Sequence, residues 1–227
     1  MIGFGLLVAT CAIAVAATMD AITLKATPKE GDDAKYKMSG HFQVMGTDAT
    51  LTADVDYKYT KVDKDGNTTV EATTKNMEIE VNGQTISPDP SVATRVSKAN
   101  GEVTDFKADV DDPNGWRMAV LNNFIYPDKP VNVGDTWTWS AVGDSKKGTV
   151  AITETYKLDS LEKVGTHDTA KVKVSFKETE GSDPATKEGF AWIDVKDGSL
   201  VKSESTWTNL PSPQGPIGAT ISIAMVD

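Results

Sequence analysis

Cysteine is almost missing from this chain. Cys11 is the only one among 227 residues, so no intramolecular disulfide can form and the fold has to rest on packing. A chain of this size buries roughly 70% of its unfolded surface, which is enough without a staple. Histidine is nearly as scarce: there are two, His41 and His167. A zinc site takes three or four His, Cys or carboxylate ligands, and no short-spaced set of them is visible. His41 falls on the polar side of an alternating run and His167 in the turn Gly165-Thr166-His167-Asp168, so both are expected as exposed positions that can be changed to Ala with little loss. Gly-x-Ser-x-Gly is absent, and the glycines form no phosphate cradle. These absences argue against an enzyme, a bound metal or a cofactor, and none is expected. Basic blocks are missing too. The 33 acidic residues outweigh 23 scattered basic ones, for a net charge of -10, and a dispersed acidic surface repels phosphate backbones and anionic headgroups. No nucleic-acid partner is expected.

One run tests the metal reading. Asp63-Lys64-Asp65-Gly66-Asn67 resembles the opening of a calcium loop, but Lys64 stands inside it and the downstream bidentate Glu of an EF-hand is missing. A hairpin turn accounts for it better.

Residues 1–17 are apolar and rich in small side chains (MIGFGLLVATCAIAVAA). They resemble the apolar region of a secretory signal, with cleavage near Ala16 or Ala17. No Lys or Arg precedes the run, so the alternative is a short retained anchor, at the low edge of the length needed to span a bilayer. Cys11 follows Val8-Ala9-Thr10, a poor lipidation signal. The expected division is a signal or anchor over 1–17 and a single β domain over 18–227, with membrane contact only through 1–17 if it is uncleaved.

Beyond that segment, period-2 alternation dominates. Tyr36, Met38, Phe42 and Val44 share one face against Lys35, Lys37, Ser39, His41 and Gln43. Leu51 to Tyr59, Ala170 to Phe176 and Ile221 to Met225 repeat the pattern, as half-buried antiparallel strands do. Asp65-Gly66, Asn82-Gly83, Asn100-Gly101 and Asp197-Gly198 separate such runs and predict tight turns. About ten to twelve strands follow. Between Val70 and Val81 the apolar parity switches, which predicts a β-bulge. Tyr57-Lys58 before Gly66 is echoed by Tyr156-Lys157 before Gly165, 99 residues later.

One stretch is helical in pattern. Asp112-Pro113 reads as an N-cap and first helical residue, and Trp116, Val120 and Phe124 follow at helical spacing up to Pro127. The spacing predicts one principal helix over about 112–124, packed into a sheet's face with Trp116 near Trp137 or Trp139. Five aromatic side chains, Trp116, Phe124, Trp137, Trp139 and Trp192, are the candidate lining of an apolar binding site, with plain core packing as the competing reading.

The helix followed by Pro127-Asp128-Lys129-Pro130-Val131-Asn132-Val133-Gly134-Asp135-Thr136-Trp137, together with the late hairpin Trp192 to Lys202, resembles uncharacterised families of exported bacterial proteins. Those families are similar in layout to the LolA/LppX-like half-barrels of the cell envelope. The resemblance implies a mainly β fold: a single, strongly curved antiparallel sheet, half-barrel-like, with the helix on its concave face. With the apolar segment 1–17 it leads to the expectation of an exported protein, in the periplasm or at the cell surface of a bacterium. The layout, the tryptophans and the export signal together lead to the expectation of a non-catalytic role in which the curved sheet binds or carries an apolar small molecule or lipid group; the resemblance transfers no cargo and no binding residue. The alternative is a cell-surface structural or interaction protein, anchored or assembled through residues 1–17, with its strand edges pairing with an envelope partner.

Overall fold

The alternating runs become strands because each buries one face and wets the other. The computed structural model describes residues 20–44 and 46–226; the cleavage expected near Ala16 or Ala17 and the lipidation reading at Cys11 fall on residues outside those described. Twelve strands form one antiparallel sheet: β1 (Asp33–Val44), β2 (Thr47–Val62), β3 (Thr68–Val81), β4 (Gln84–Ile86), β5 (Ser91–Ser97), β6 (Val103–Ala108), β7 (Thr136–Ala141), β8 (Ile152–Val164), β9 (His167–Glu178), β10 (Thr186–Asp194), β11 (Leu200–Leu210) and β12 (Ile217–Met225). The order across the sheet is β6-β5-β3-β2-β1-β12-β11-β10-β9-β8-β7, with β4 paired to β3 off this path. The sheet is open, and β6 and β7 are its ends. Two meanders are joined where β1 pairs with β12, from Tyr36 opposite Met225 to Gln43 opposite Gly218. The echoed tyrosines sit at matching places, in β2 and β8, each before a hairpin.

All four predicted turn glycines have positive φ. Two of them are also points of close approach. A Cβ on Gly101 would lie 2.1 Å from the Phe124 carbonyl oxygen, and one on Gly198 would lie 2.3 Å from that of Lys25. The parity switch in β3 is a bulge. Thr52 faces Glu78 and Asp54 faces Lys75, leaving one more residue on β3 than on β2. Asn76 takes a left-handed φ of 51° there, a conformation Asn tolerates, and its amide donates to Asp54 Oδ2 at 2.8 Å. The suspected calcium loop is a turn: Asp63 accepts from the backbone N–H of Asp65 and Asn67 and from the Asn67 amide.

The helix is shorter than the spacing predicts. α1 spans Gly115–Leu121, with Asn114 as its N-cap. Asp112 Oδ1 accepts from the Asn114 N–H at 2.9 Å, forming a turn ahead of the helix. At the other end, side chains from distant strands take up the backbone groups that a longer helix would have paired. Lys187 Nζ donates to the Leu121 carbonyl at 2.9 Å. The Ile125 N–H donates to the Tyr156 hydroxyl at 3.2 Å, and Trp137 Nε1 donates to the Ile125 carbonyl at 2.8 Å. On the opposite side, the Tyr126 N–H reaches the Asn100 carbonyl at 2.9 Å. Residues 122–126 therefore run as a non-helical crossover between the β5–β6 turn and the β7–β8 hairpin.

Among the described residues two buried clusters form the core. Leu24, Ile125 and Val131 from the connecting segments pack on Tyr156, Leu158, Ala170, Val172 and Ile193. Leu121 of α1 packs with Ile152, Phe176, Trp207, Leu210 and Ala219. Burying each such aliphatic side chain contributes about 1.5–3 kcal/mol. α1 is also fixed electrostatically: Arg117 grips the buried Glu178 with Nε at 2.7 Å and Nη2 at 2.5 Å.

Candidate functional site

Antiparallel register lines up residues of one face in rows across the strands. On the inner face, one row runs Ile79, Leu51, Gly40, Ile221, Ser205, Gly189, Val174, Tyr156, Trp137 from β3 to β7. The neighbouring row passes through Phe42, Ala219, Trp207, Lys187, Phe176 and Glu154 to Trp139. These rows and the crossover bring three of the five candidate aromatics together. Trp137 stacks on Tyr156 at 5.2 Å with an interplanar angle of 8°. Phe124 meets Tyr156 edge-on at 5.2 Å and Trp137 at 6.4 Å. Trp139 packs against both clusters.

The other two lie elsewhere. Trp116 packs edge-on against Phe106 of β6 at 6.2 Å, with Lys147 Nζ 4.1 Å above its ring, not beside Trp137 or Trp139. The helix turns it toward that end of the sheet while Leu121 enters the core. Trp192 lies on the outer face. Its Nε1 donates to Glu162 at 2.5 Å, and Lys171 and Lys202 stand over its ring. β10 is apolar on both faces at this point, with Ala191 and Ile193 inward and Phe190 and Trp192 outward.

Sequence reasoning missed two buried charges at the heart of the aromatic group. Glu154 is 1% exposed; Tyr156 donates to its Oε2, while its Oε1 has no partner. Burial pushes its carboxyl up to about 7, against the smaller opposing pulls of Lys187 and the tyrosine hydrogen bond. Lys187 sits over Phe176 and Trp207 at 4.9 and 5.0 Å, and burial brings its ammonium down to about 8 although Glu154 pulls the other way. Their signal was only parity: each is a charged residue where the alternation calls for an apolar one.

Among the described residues no group of three or more His, Cys, Asp or Glu is placed to hold a metal. His41 is exposed, 3.9 Å from Asp48. His167 departs from the exposed position expected of it. Its Nδ1 pairs with Asp194 Oδ2 at 2.7 Å, the two side chains being 25% and 10% exposed. Burial raises the Asp194 carboxyl, but hydrogen bonds from His167 and the Lys196 backbone outweigh it and hold the group below the usual range.

Two surfaces remain open. On the inner face, Met38, Leu51, Ile79 and Ile223 are half-buried and belong to neither core cluster. On the outer face a groove of about 660 Å³ crosses β10, β11, β12, β1 and β2. Its lining takes three consecutive residues from each strand, centred on Gly189, Ser205, Ile221, Gly40 and Leu51. Because those five side chains point inward, their backbone forms the floor and their outward neighbours form the walls. None of the five candidate aromatics lines it.

Geometry thus defines a mainly β protein with an open antiparallel sheet, a filled inner face at one half and a partly uncovered one at the other. No family model and no curated protein matches the chain. Two solved structures resemble it distantly. One is a Bacteroides fragilis protein with a YmcC-like fold, inferred to be exported, at 11% identity and a TM-score of 0.32 over 92% of this chain and 100% of that one. The other is a DUF1329 family protein from Desulfovibrio piger, at 11% identity and a TM-score of 0.25 over 87% of this chain and 85% of that one. Likeness at this level assigns no activity, and neither is described as a LolA- or LppX-like carrier.

Proposed function

We infer that this chain is a non-catalytic, exported protein of the bacterial envelope that holds an apolar molecule or lipid chain against the inner face of a half-barrel-like sheet. The observation that carries this reading is the uncovered strip of Met38, Leu51, Ile79 and Ile223. It continues the inner-face rows outside both buried clusters. A contiguous apolar surface left beside a packed core is the usual mark of a ligand or partner site. The aromatic group of Phe124, Trp137 and Trp139 forms the closed end of that cradle rather than the wall that touches the ligand. A fluorescent apolar probe titrated into the protein is expected to bind saturably and to lose affinity in Met38→Ser and Ile223→Ser. Absence of probe binding by the folded protein overturns the reading.

The second reading, a surface structural or interaction protein, is favoured by β7. This end strand carries Thr136, Thr138 and Ser140 outward, without the Lys or Pro that commonly blunts a free edge. Light scattering separates the two readings: a dimer abolished by Thr138→Pro supports edge pairing.

A further inference from the structure

We propose that the outer-face groove is a binding site for a neutral, polyhydroxylated chain, an oligosaccharide. The groove crosses five strands, so its length is roughly 19 Å at about 4.8 Å per strand, and its volume of about 660 Å³ lies in the range of small-molecule sites. Its walls differ from the rest of the outer face. On β1 the outward residues change from Lys35 and Lys37 to Ser39 and His41, and on β2 from Lys58, Asp56 and Asp54 to Thr52 and Thr50. β12 adds Thr220 and Ser222, and β11 adds Thr206. Each hydroxyl is both donor and acceptor, so these rows can exchange hydrogen bonds with ligand hydroxyls in either direction.

At the β10–β11 end the groove acquires an aromatic ring and two carboxylates. Phe190 borders it, with Lys171 Nζ 4.8 Å from the ring centroid and Trp192 packed beside it at 6.1 Å. A ring fixed in this way offers an apolar platform for the C–H face of a sugar, next to polar groups that take its hydroxyls. Glu188 and Glu204 line the same end and are acceptors for ligand O–H groups.

Other ligand classes fit less well. Lys202 is engaged by Glu204 at 2.7 Å, and Lys171 is held over the Phe190 ring at 4.8 Å. Lys173, opposite Phe190, is not part of the lining, and the two carboxylates that line it oppose phosphate or sulfate. An acyl chain would leave the Ser and Thr hydroxyls and both carboxylates of the walls without partners. A peptide adding as a strand needs free backbone groups, whereas the floor residues are paired on both sides within the sheet.

The test is calorimetric titration of the whole protein with maltohexaose and chitohexaose as neutral probes and heparin as the anionic control. At least one neutral oligomer is expected to bind, with heparin silent. Phe190→Ala is expected to weaken that binding roughly tenfold and Phe190→Tyr to retain it, circular dichroism reporting that both variants are folded. Silence of both neutral oligomers at millimolar concentration overturns the proposal, as does neutral-oligomer binding that Phe190→Ala leaves intact. Heparin binding at the groove overturns it in favour of an anion site.

Discussion

Replacing Glu154 by glutamine isolates what one buried carboxyl does to stability. Its folded-state value of about 7 lies above the ordinary 4.5. Between those two pH values the unfolded chain has already lost the proton while the folded protein still holds it, so wild-type stability falls as pH rises through this window. Below 4.5 the effect is absent, and above about 7 it is complete. A difference of about 2.5 on the pH scale, at about 1.4 kcal/mol for each, gives at most about 3.5 kcal/mol. Glutamine keeps an acceptor for the Tyr156 hydroxyl and does not titrate. It also removes the anion that pulls the Lys187 ammonium upward, which trims the gain near neutral pH. Urea unfolding followed by tryptophan fluorescence should show the Glu154→Gln variant about as stable as wild type near pH 4.5 and more stable above pH 7. A difference that stays flat across the window, or a variant less stable above pH 7, refutes the reasoning.

Arg117→Ala should cost about 3–5 kcal/mol, because it leaves the buried Glu178 carboxylate (1% exposed) without its cation; denaturant unfolding reads it, and Arg117→Lys should recover only part. Trp137→Ala should cost about 3–5 kcal/mol, since it removes a ring stacked on Tyr156 and a hydrogen bond to Ile125. Trp116→Ala, on a half-buried ring against Phe106, should cost about 1–2 kcal/mol, so the order of the two melting temperatures checks the placement. His167→Ala should lose about 1–3 kcal/mol by stripping Asp194 of a hydrogen-bond partner, whereas His41→Ala should stay within about 0.5 kcal/mol of wild type.

Strands and turns were legible because each is decided locally. Alternation from Tyr36 to Phe42 or from Ala170 to Phe176 states which side is buried, and a Gly after Asp or Asn states where the chain reverses. Even the bulge at Asn76 leaves a parity switch. The end of α1 has no such local mark. Asn122 to Phe124 continue an apolar helical spacing, and what draws them out of the helix is a set of side chains remote in sequence: Lys187, Tyr156 and Trp137. Trp192 fails for a related reason. With Phe190, Ala191, Trp192 and Ile193 consecutive, parity cannot say which pair faces inward, and the register shift beside Ile193 deepens the ambiguity.

The outer groove was hidden more deeply, because five separate segments each contribute only three residues to it. Its inner-face counterpart explains why it sits where it does. Gly189 and Gly40 fall in the same cross-strand row. A Cβ on Gly189 would lie 2.0 Å from the Glu204 carbonyl oxygen, and one on Gly40 would lie 2.7 Å from the Phe42 ring. The first contact is with backbone, which cannot swing aside as a side-chain tip can. At that row β10 therefore approaches β11 more closely than any side chain would allow, and the Phe42 ring folds over the gap that Gly40 leaves. On the other side of the same backbone the floor residues send nothing outward, and Ser and Thr stand where Lys and Asp stand farther along β1 and β2. Small residues inside thus set the approach of the strands, small hydroxylated residues outside leave the concavity open, and neither half of that arrangement is visible in any one window of sequence.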